Sequence, residues 1–302
     1  MTPNLFLIGG MRCGSTTLNL LLSQHPSIYM SPVKEPCFFI AEYMRRELAA
    51  NNGSIESVRA YEEMGRHRTR TTYDYLFENV QSERWIGEAS HYLYAPDVRG
   101  VIKELSPDAR IVVSFRDPTE RLVSEYGRLI RDNKTQETLD EFVLRGTTVE
   151  GGRIVDYGGE SKLGRGLQAH LVMPWLETFG RERVRFVFFE DLNNDPTGLA
   201  SDLFGWLGID TMFAPKVVHT QRGGHMRLPK LQSAMNSSLK ASRYVKRLLP
   251  RLVKERIRAS VYKKAVAKPT LQRDLEKSLR NFYRSDVVRL QEISQRDLSE
   301  WM

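Results

Sequence analysis

Apolar residues fall in two patterns along this chain: short unbroken runs, and longer stretches with an apolar position every three or four residues. The run Leu5-Phe6-Leu7-Ile8 has the length of a buried strand, and Leu18, Leu21 and Leu22, with Leu20 beside them, then recur at helical spacing. Ser27 to Met30 predicts a second short strand, followed by polar stretches with helices through Glu42–Ala50 and around Ser57–Met64. Ala109 to Phe115 is a β-branched run expected as a central strand, and Pro118 suits the first turn of the helix behind it. A helix is expected from about Gly166 to Phe179, with Leu167, Leu171, Trp175 and Leu176 on one face. Val184 to Glu190 predicts another buried strand, and about Leu271 to Ile293 a final helix. This alternation argues for an α/β fold with a mostly parallel sheet covered on both faces, and for ligands at the carboxyl ends of its strands.

Composition narrows the class. The chain has 302 residues, 41% of them hydrophobic and 27% charged, as expected of a globular protein built as one domain over 1–302. Two cysteines, Cys13 and Cys37, make no disulfide framework, and the sequence offers no metal-ligand cluster. The first strand starts at Leu5, and no apolar run approaches the length of a membrane span, so the expectation is a cytoplasmic protein without a metal.

Charge is concentrated near the C-terminus. Eleven Lys and Arg residues between Leu239 and Lys268 stand against Glu255 alone, which gives +10; the total of +8 leaves −2 for the rest. The excess is therefore local and does not make the whole chain a nucleic-acid binder. Val245, Leu249, Leu252 and Ile257 recur within it at roughly helical spacing, so a basic helical segment over about 231–302 is expected to pack on the domain and to make at most peripheral membrane contact.

Candidate chemistry begins between the first strand and the first helix. Gly9 to Thr17 carries three glycines, Arg12, and the hydroxyls of Ser15, Thr16 and Thr17. Strand, glycine-rich turn and helix form a P-loop-like arrangement that aims backbone N–H groups and a positive helix end at a phosphate-like anion. Arg12 adds a planar cationic fork suited to phosphate or sulfate oxygens. No lysine precedes Ser15, so the kinase-type loop is absent, as is the dinucleotide Gly-x-Gly-x-x-Gly pattern. A second anion site is expected where Arg116 ends a strand. Ser124 and Arg128, four residues apart, share one face of the helix that follows.

These motifs together resemble sulfotransferases that use 3′-phosphoadenosine-5′-phosphosulfate (PAPS). The resemblance implies that Arg12, Cys13, Gly14, Ser15, Thr16 and Thr17 hold the 5′-phosphosulfate, and that Arg116 and Ser124, with Arg128, hold the 3′-phosphate. Lys34-Glu35-Pro36-Cys37-Phe38-Phe39 resembles the carbohydrate-modifying branch, where the glutamate is taken as the base; the position of Cys37 is often His there. Burial between the two aromatics is expected to raise the Glu35 carboxyl toward neutrality. Trp85 to Ser90, before Tyr92-Leu93-Tyr94, resembles the next family strand, with Ala89 where heparan-type members carry Lys. His91 is the candidate substitute for that missing cation, and Glu88 and His91 are rival bases. The loop Thr220–Lys230, through Arg222, Gly223, Gly224 and Arg227, is expected to close over the 3′-phosphate and adenine, and the glycine-rich stretch 145–166 to gate the acceptor.

The implied reaction moves the sulfuryl group of PAPS in line to an acceptor hydroxyl or amine, releasing 3′-phosphoadenosine-5′-phosphate (PAP). The acceptor is expected to be a carbohydrate, lipid or natural product, with an acidic one matching the basic segment. Two other classes stay open: a P-loop kinase or nucleotide hydrolase, and a non-catalytic binder of anionic polymer or membrane surface through residues 239–268.

Overall fold

The computed structural model describes residues 2–51, 67–95, 97–132, 134–145, 147–150, 153–156, 162–217, 225–226, 266–267 and 269–302. Two compact units are present. The first comprises Met1–Pro118, Gly164–Thr220 and Tyr283–Met302; the second comprises Thr119–Leu163 and Gln221–Phe282. Arg222, Gly223, Gly224 and Arg227, the helix expected over 57–64 and nearly all of the basic segment lie outside the described residues.

The first unit is built on a five-stranded sheet in the order β2-β3-β1-β4-β7. Its strands are β1 (Leu5–Leu7), β2 (Ile28–Met30), β3 (Trp85–Ala89), β4 (Arg110–Phe115) and β7 (Val184–Phe188). Every pairing among them is parallel. β1 lies in the middle, with Phe6 opposite both Glu88 and Ile111. This position explains why its three residues are all apolar: both faces of a parallel sheet are covered, so no position faces water.

The side-chain alternation of β1 divides the core. Leu5 and Leu7 join Leu18, Leu21 and Leu22 of α1 (Ser15–Leu22), together with Leu203 and Phe204. Phe6 faces the other way and meets Phe39 edge-on at 5.4 Å. Phe39 belongs to α2 (Phe38–Asn51) and packs on Tyr73 of α3 (Arg70–Asp74) and on Tyr92. Each such side chain, fully buried, contributes about 1.5–3 kcal/mol by leaving water. The two aromatics after Glu35 thus serve as core anchors for the segment that carries it.

Several boundaries differ from expectation for identifiable reasons. α2 starts at Phe38, four residues early, because Phe38 and Phe39 are pulled into the aromatic layer. β7 ends at Phe188, so Phe189 and Glu190 open the helix Phe189–Asn194 instead of extending the strand. Glu190 and Asp191 in its first turn favour a helix N-terminus. Asp195 then caps Pro196–Leu207, accepting from Gly198 N at 2.9 Å, as the Asn-Asp-Pro sequence predicts.

The second unit holds most of the helix Pro118–Arg131, the helix Leu139–Leu144 and an antiparallel hairpin of β5 (Thr147–Glu150) with β6 (Arg153–Asp156). The hairpin lies inside the stretch 145–166 expected as a connection gating the acceptor; the β-branched alternation flanking Gly151-Gly152 is its signal. Arg121 is wholly buried here, bonded to Glu125 Oε2 at 2.9 Å and Lys162 O at 2.6 Å. Among the described residues no helix is long and apolar enough to cross a membrane.

Candidate functional site

The turn after β1 is shaped by close packing. A Cβ at Gly9 would stand 1.9 Å from Ser114 Oγ, so only glycine lets the turn lie against β4. Gly10 N donates to Ser114 O at 3.2 Å and Met11 N to Tyr94 Oη at 2.9 Å. Arg12 takes a left-handed backbone, φ 69°, and Gly14 follows at φ 84°, where a Cβ would meet Leu192 Cδ2 at 2.5 Å. These reversals deliver the chain into α1 with no side chain capping its N-terminus. The N–H groups of that first turn have no helical carbonyl to serve them, which is the standard setting for an anion. Ser15 is buried, Thr17 half-buried and Thr16 exposed. Cys13 is completely buried, so it offers no reactive thiol at the surface of the loop.

Arg116 reaches this turn from the end of β4. Its Nη1 donates to Arg12 O at 3.2 Å, and its guanidinium lies 4.3 Å from the centre of the Phe189 ring. Gln168, buried at the start of the helix Gln168–Phe179, fixes the Arg116 backbone from both sides. Its Oε1 accepts from Arg116 N at 3.1 Å and its Nε2 donates to Arg116 O at 2.7 Å. The two anion motifs read from sequence are therefore joined at Arg12 and Arg116. Ser124, buried, and Arg128, 3.5 Å from Asp132, belong to the second unit.

Glu35 and His91 are brought together by the end of β3. Glu35 N donates to Ala89 O at 2.8 Å, and the residue has a left-handed backbone, φ 63°. Its Oε1 lies 2.8 Å from His91 Nε2 and 2.7 Å from Lys34 Nζ. His91 Nδ1 in turn lies 3.2 Å from Gly9 O, in the anion turn. Lys34, Glu35, His91 and Gly9 thus form one chain of contacts ending at the loop that carries Arg12. Both ring nitrogens of His91 thus face acceptor oxygens.

The carboxyl expected to be raised is instead lowered. Burial alone would raise Glu35, but the hydrogen bond and charge of His91, with the charge of Lys34, bring it down to about 2. Its neighbour Glu88 is the raised one. Burial pushes Glu88 up to about 7, and the hydroxyls of Tyr92, Tyr73 and Ser90 restrain the rise. Glu88 is 0% exposed, which removes it as a rival base, since no acceptor reaches it. Cys37, where relatives often have His, is pushed up to about 11 by burial and by the charges of Glu88 and Glu35, and so stays a neutral thiol.

Sequence reasoning missed Gln168, Tyr94 and Phe189. Arg165, whose guanidinium is 5.5 Å from the Tyr94 ring centre, was missed too. None had a local signal: Gln168 lies 52 residues from its partner and Tyr94 lies 83 residues from Met11.

Over 229 residues the chain is 23% identical to human carbohydrate sulfotransferase 15, covering 63% of this chain and 40% of that protein. It therefore spans about two fifths of the length of that relative. Mouse heparan sulfate glucosamine 3-O-sulfotransferase 3A1 is 22% identical over 296 residues, covering 98% of this chain and 63% of that one. Among solved structures, a sulfotransferase from Alicyclobacillus acidocaldarius superposes with a TM-score of 0.68 at 26% identity, covering 100% of this chain and 99% of its own. A family model described as "Sulfotransferase family" matches residues 3–214, which include the anion turn, the Glu35–His91 pair and the strand end at Arg116. By that match, which covers more than half of its length, the chain belongs to the sulfotransferase family.

Proposed function

We propose that this protein transfers the sulfuryl group of PAPS to a hydroxyl or amine of a carbohydrate acceptor, with PAP as the other product. The observation that carries the reading is the chain of contacts from Glu35 through His91 to Gly9, which sets a carboxylate beside an anion-binding turn. The turn fits a phosphosulfate: its glycines admit close backbone approach, it leads into the N-terminus of α1, and Arg12 brings positive charge.

In this reading the Arg12 guanidinium and the first-turn N–H groups neutralise charge growing on the leaving phosphate. Such a transfer depends more on positioning and charge stabilisation than on covalent help from the protein. Glu35 receives the acceptor proton. Lys34 and His91 both engage Oε1, which leaves Oε2 for the acceptor. His91 orients the carboxylate and is no base itself, because both of its nitrogens are engaged. Arg116 is assigned to the 3′-phosphate; Ser124, Arg128, Arg222, Gly223, Gly224 and Arg227 belong to the second unit and stay candidates from sequence alone. The carbohydrate acceptor is argued from the names of the relatives and from the Lys-Glu-Pro segment.

The test pairs binding with turnover. Calorimetry should show PAP binding far more tightly than adenosine 5′-phosphate, and radiolabel from PAPS should pass to a member of a carbohydrate panel. Equal affinities would remove the 3′-phosphate site, and label left on PAPS across the panel would overturn the carbohydrate acceptor. Magnesium-dependent turnover of ATP would favour a P-loop kinase or hydrolase instead.

A further inference from the structure

The backbone of Arg116 is gripped by Gln168, and the helix that starts at Gln168 is itself capped from far along the chain. The residue before that helix, Leu167, has an apolar side chain and gives its N–H groups no cap. Asp286 supplies the missing acceptors. Ala169 N donates to its Oδ2 and His170 N to its Oδ1, both at 2.9 Å. A carboxylate at this end also meets the positive pole of the helix.

Asp286 is held in place by its own helix, Arg273–Ser294. Tyr283, Val287 and Leu290 recur there at helical spacing and are buried, and Asp286, on the same side, is 8% exposed. A Cβ at Gly166 would stand 2.5 Å from Tyr283 Cε1, so the turn leading to Gln168 is pressed against this helix as well. Past the helix, Arg296 grips Asp191 with both terminal nitrogens, Nη2 to Oδ1 at 2.8 Å, and lies 4.3 Å from the Phe188 ring centre. Asp286, the helix start at Gln168, Arg116 and the Arg12 carbonyl therefore stand in one line of hydrogen bonds, all within the first unit. The family match ends at residue 214, so Asp286 lies outside it.

Resting on the role given to Arg116 above, we propose that Asp286 is a positioning residue for the nucleotide. By capping the helix it fixes Gln168, whose amide sets how Arg116 leaves β4 and presents its guanidinium to the 3′-phosphate. An amide side chain at position 286 offers one acceptor oxygen where the carboxylate offers two, so one N–H is left against an NH2 group. The first turn then loosens, Gln168 loses its register on Arg116, and binding has to restore the order that the fold no longer supplies. The effect is confined to the 3′-phosphate, because that is the group assigned to Arg116.

Calorimetry with two nucleotides and amide exchange on the full chain test this together. In Asp286→Asn the affinity for PAP should fall about tenfold, the scale of one lost hydrogen bond, and the affinity for adenosine 5′-phosphate should stay unchanged. A merely structural role would weaken both nucleotides alike. Exchange at Arg116 N–H, which donates to Gln168, should rise about tenfold in the nucleotide-free variant, while Ile8 N–H keeps its protection. Gln168→Leu removes both bonds to Arg116 and leaves Asp286 in place. It should show the same selective loss of PAP affinity, and it decides the matter if Asp286→Asn does not fold. Unchanged PAP affinity, an equal loss for both nucleotides, or unchanged exchange at Arg116 would overturn the proposal. Arg116→Met separates this from the functional reading. An undiminished preference for PAP in Arg116→Met would overturn the phosphate role of Arg116, and exchange at Arg116 N–H in Asp286→Asn would still decide the positioning. A lost preference in Arg116→Met, with none lost in Asp286→Asn, would overturn the positioning alone.

Discussion

At the scale of residues, the acidities of Glu35, exposed on its loop, and Glu88, wholly buried, move in opposite directions. Glu35 faces the nitrogens of Lys34 and His91, whereas Glu88 is bonded to the Tyr73 hydroxyl and has no cation against it. Charge and a charge-assisted bond outweigh burial in the first case, and neutral hydrogen bonds only temper it in the second. Glu35→Gln, which keeps shape and removes basicity, should cut turnover by roughly a hundredfold or more. PAP affinity should hold, because the charge for phosphate comes from Arg12 and Arg116; calorimetry and a transfer assay read the two quantities separately. Near-normal turnover in Glu35→Gln would assign the proton to another group. For Glu88 the folded value of about 7 lies above the ordinary 4.5, so its contribution to stability is fully present below pH 4.5 and is lost as pH rises through 7. At 1.4 kcal/mol per pH unit the loss is about 3 kcal/mol. Denaturant unfolding across that range should show the wild type declining relative to Glu88→Gln, and parallel curves would mean that Glu88 does not ionise in the folded chain.

At the scale of elements, the anion turn is a rigid joint between β1 and α1 rather than a flexible loop. Ile8 N is bonded to Val112 O at 2.9 Å, Leu18 N to Gly14 O at 3.1 Å, and Gly14 is wedged against Leu192. Gly14→Ala has to place a methyl group against Leu192 and keep φ near 84°. We expect a loss of about 1–2 kcal/mol from the backbone alone, and more from the clash. PAP affinity should fall with it, since the same residue sets the direction of the first helical turn. A variant with lower thermal stability and undiminished PAP binding would uncouple this turn from the nucleotide.

At the scale of the whole molecule, the family match ends at residue 214, and the +10 segment over 239–268 lies beyond it. Its charge is a property of sequence alone and falls largely outside the described residues. A charge so concentrated attracts acidic acceptors over a range that salt shortens. Reversing Lys246, Arg247 and Arg251 to Glu should raise KM for an acidic acceptor and flatten its salt dependence, with PAP affinity spared. An unchanged KM would assign the segment to ordinary solvated surface.

The sequence by itself determined the parallel α/β architecture, because β1 is apolar throughout, β4 carries the run Ile111-Val112-Val113, and the intervening helices follow a regular period. It also marked Arg12 and Arg116, since glycine placement and a strand-ending arginine are local features, while Glu35 and His91 were marked only by the family resemblance of the segments that carry them. What it did not carry was how these residues are held. The pairing of Gln168 with Arg116, of Tyr94 with Met11 and of His91 with Gly9 joins positions 52 to 83 residues apart. The acidities of Glu35 and Glu88 were likewise decided only by folding. Burial penalises a charge wherever it occurs, but whether that penalty prevails depends on which donors the fold sets against the carboxyl, and those donors come from distant parts of the chain.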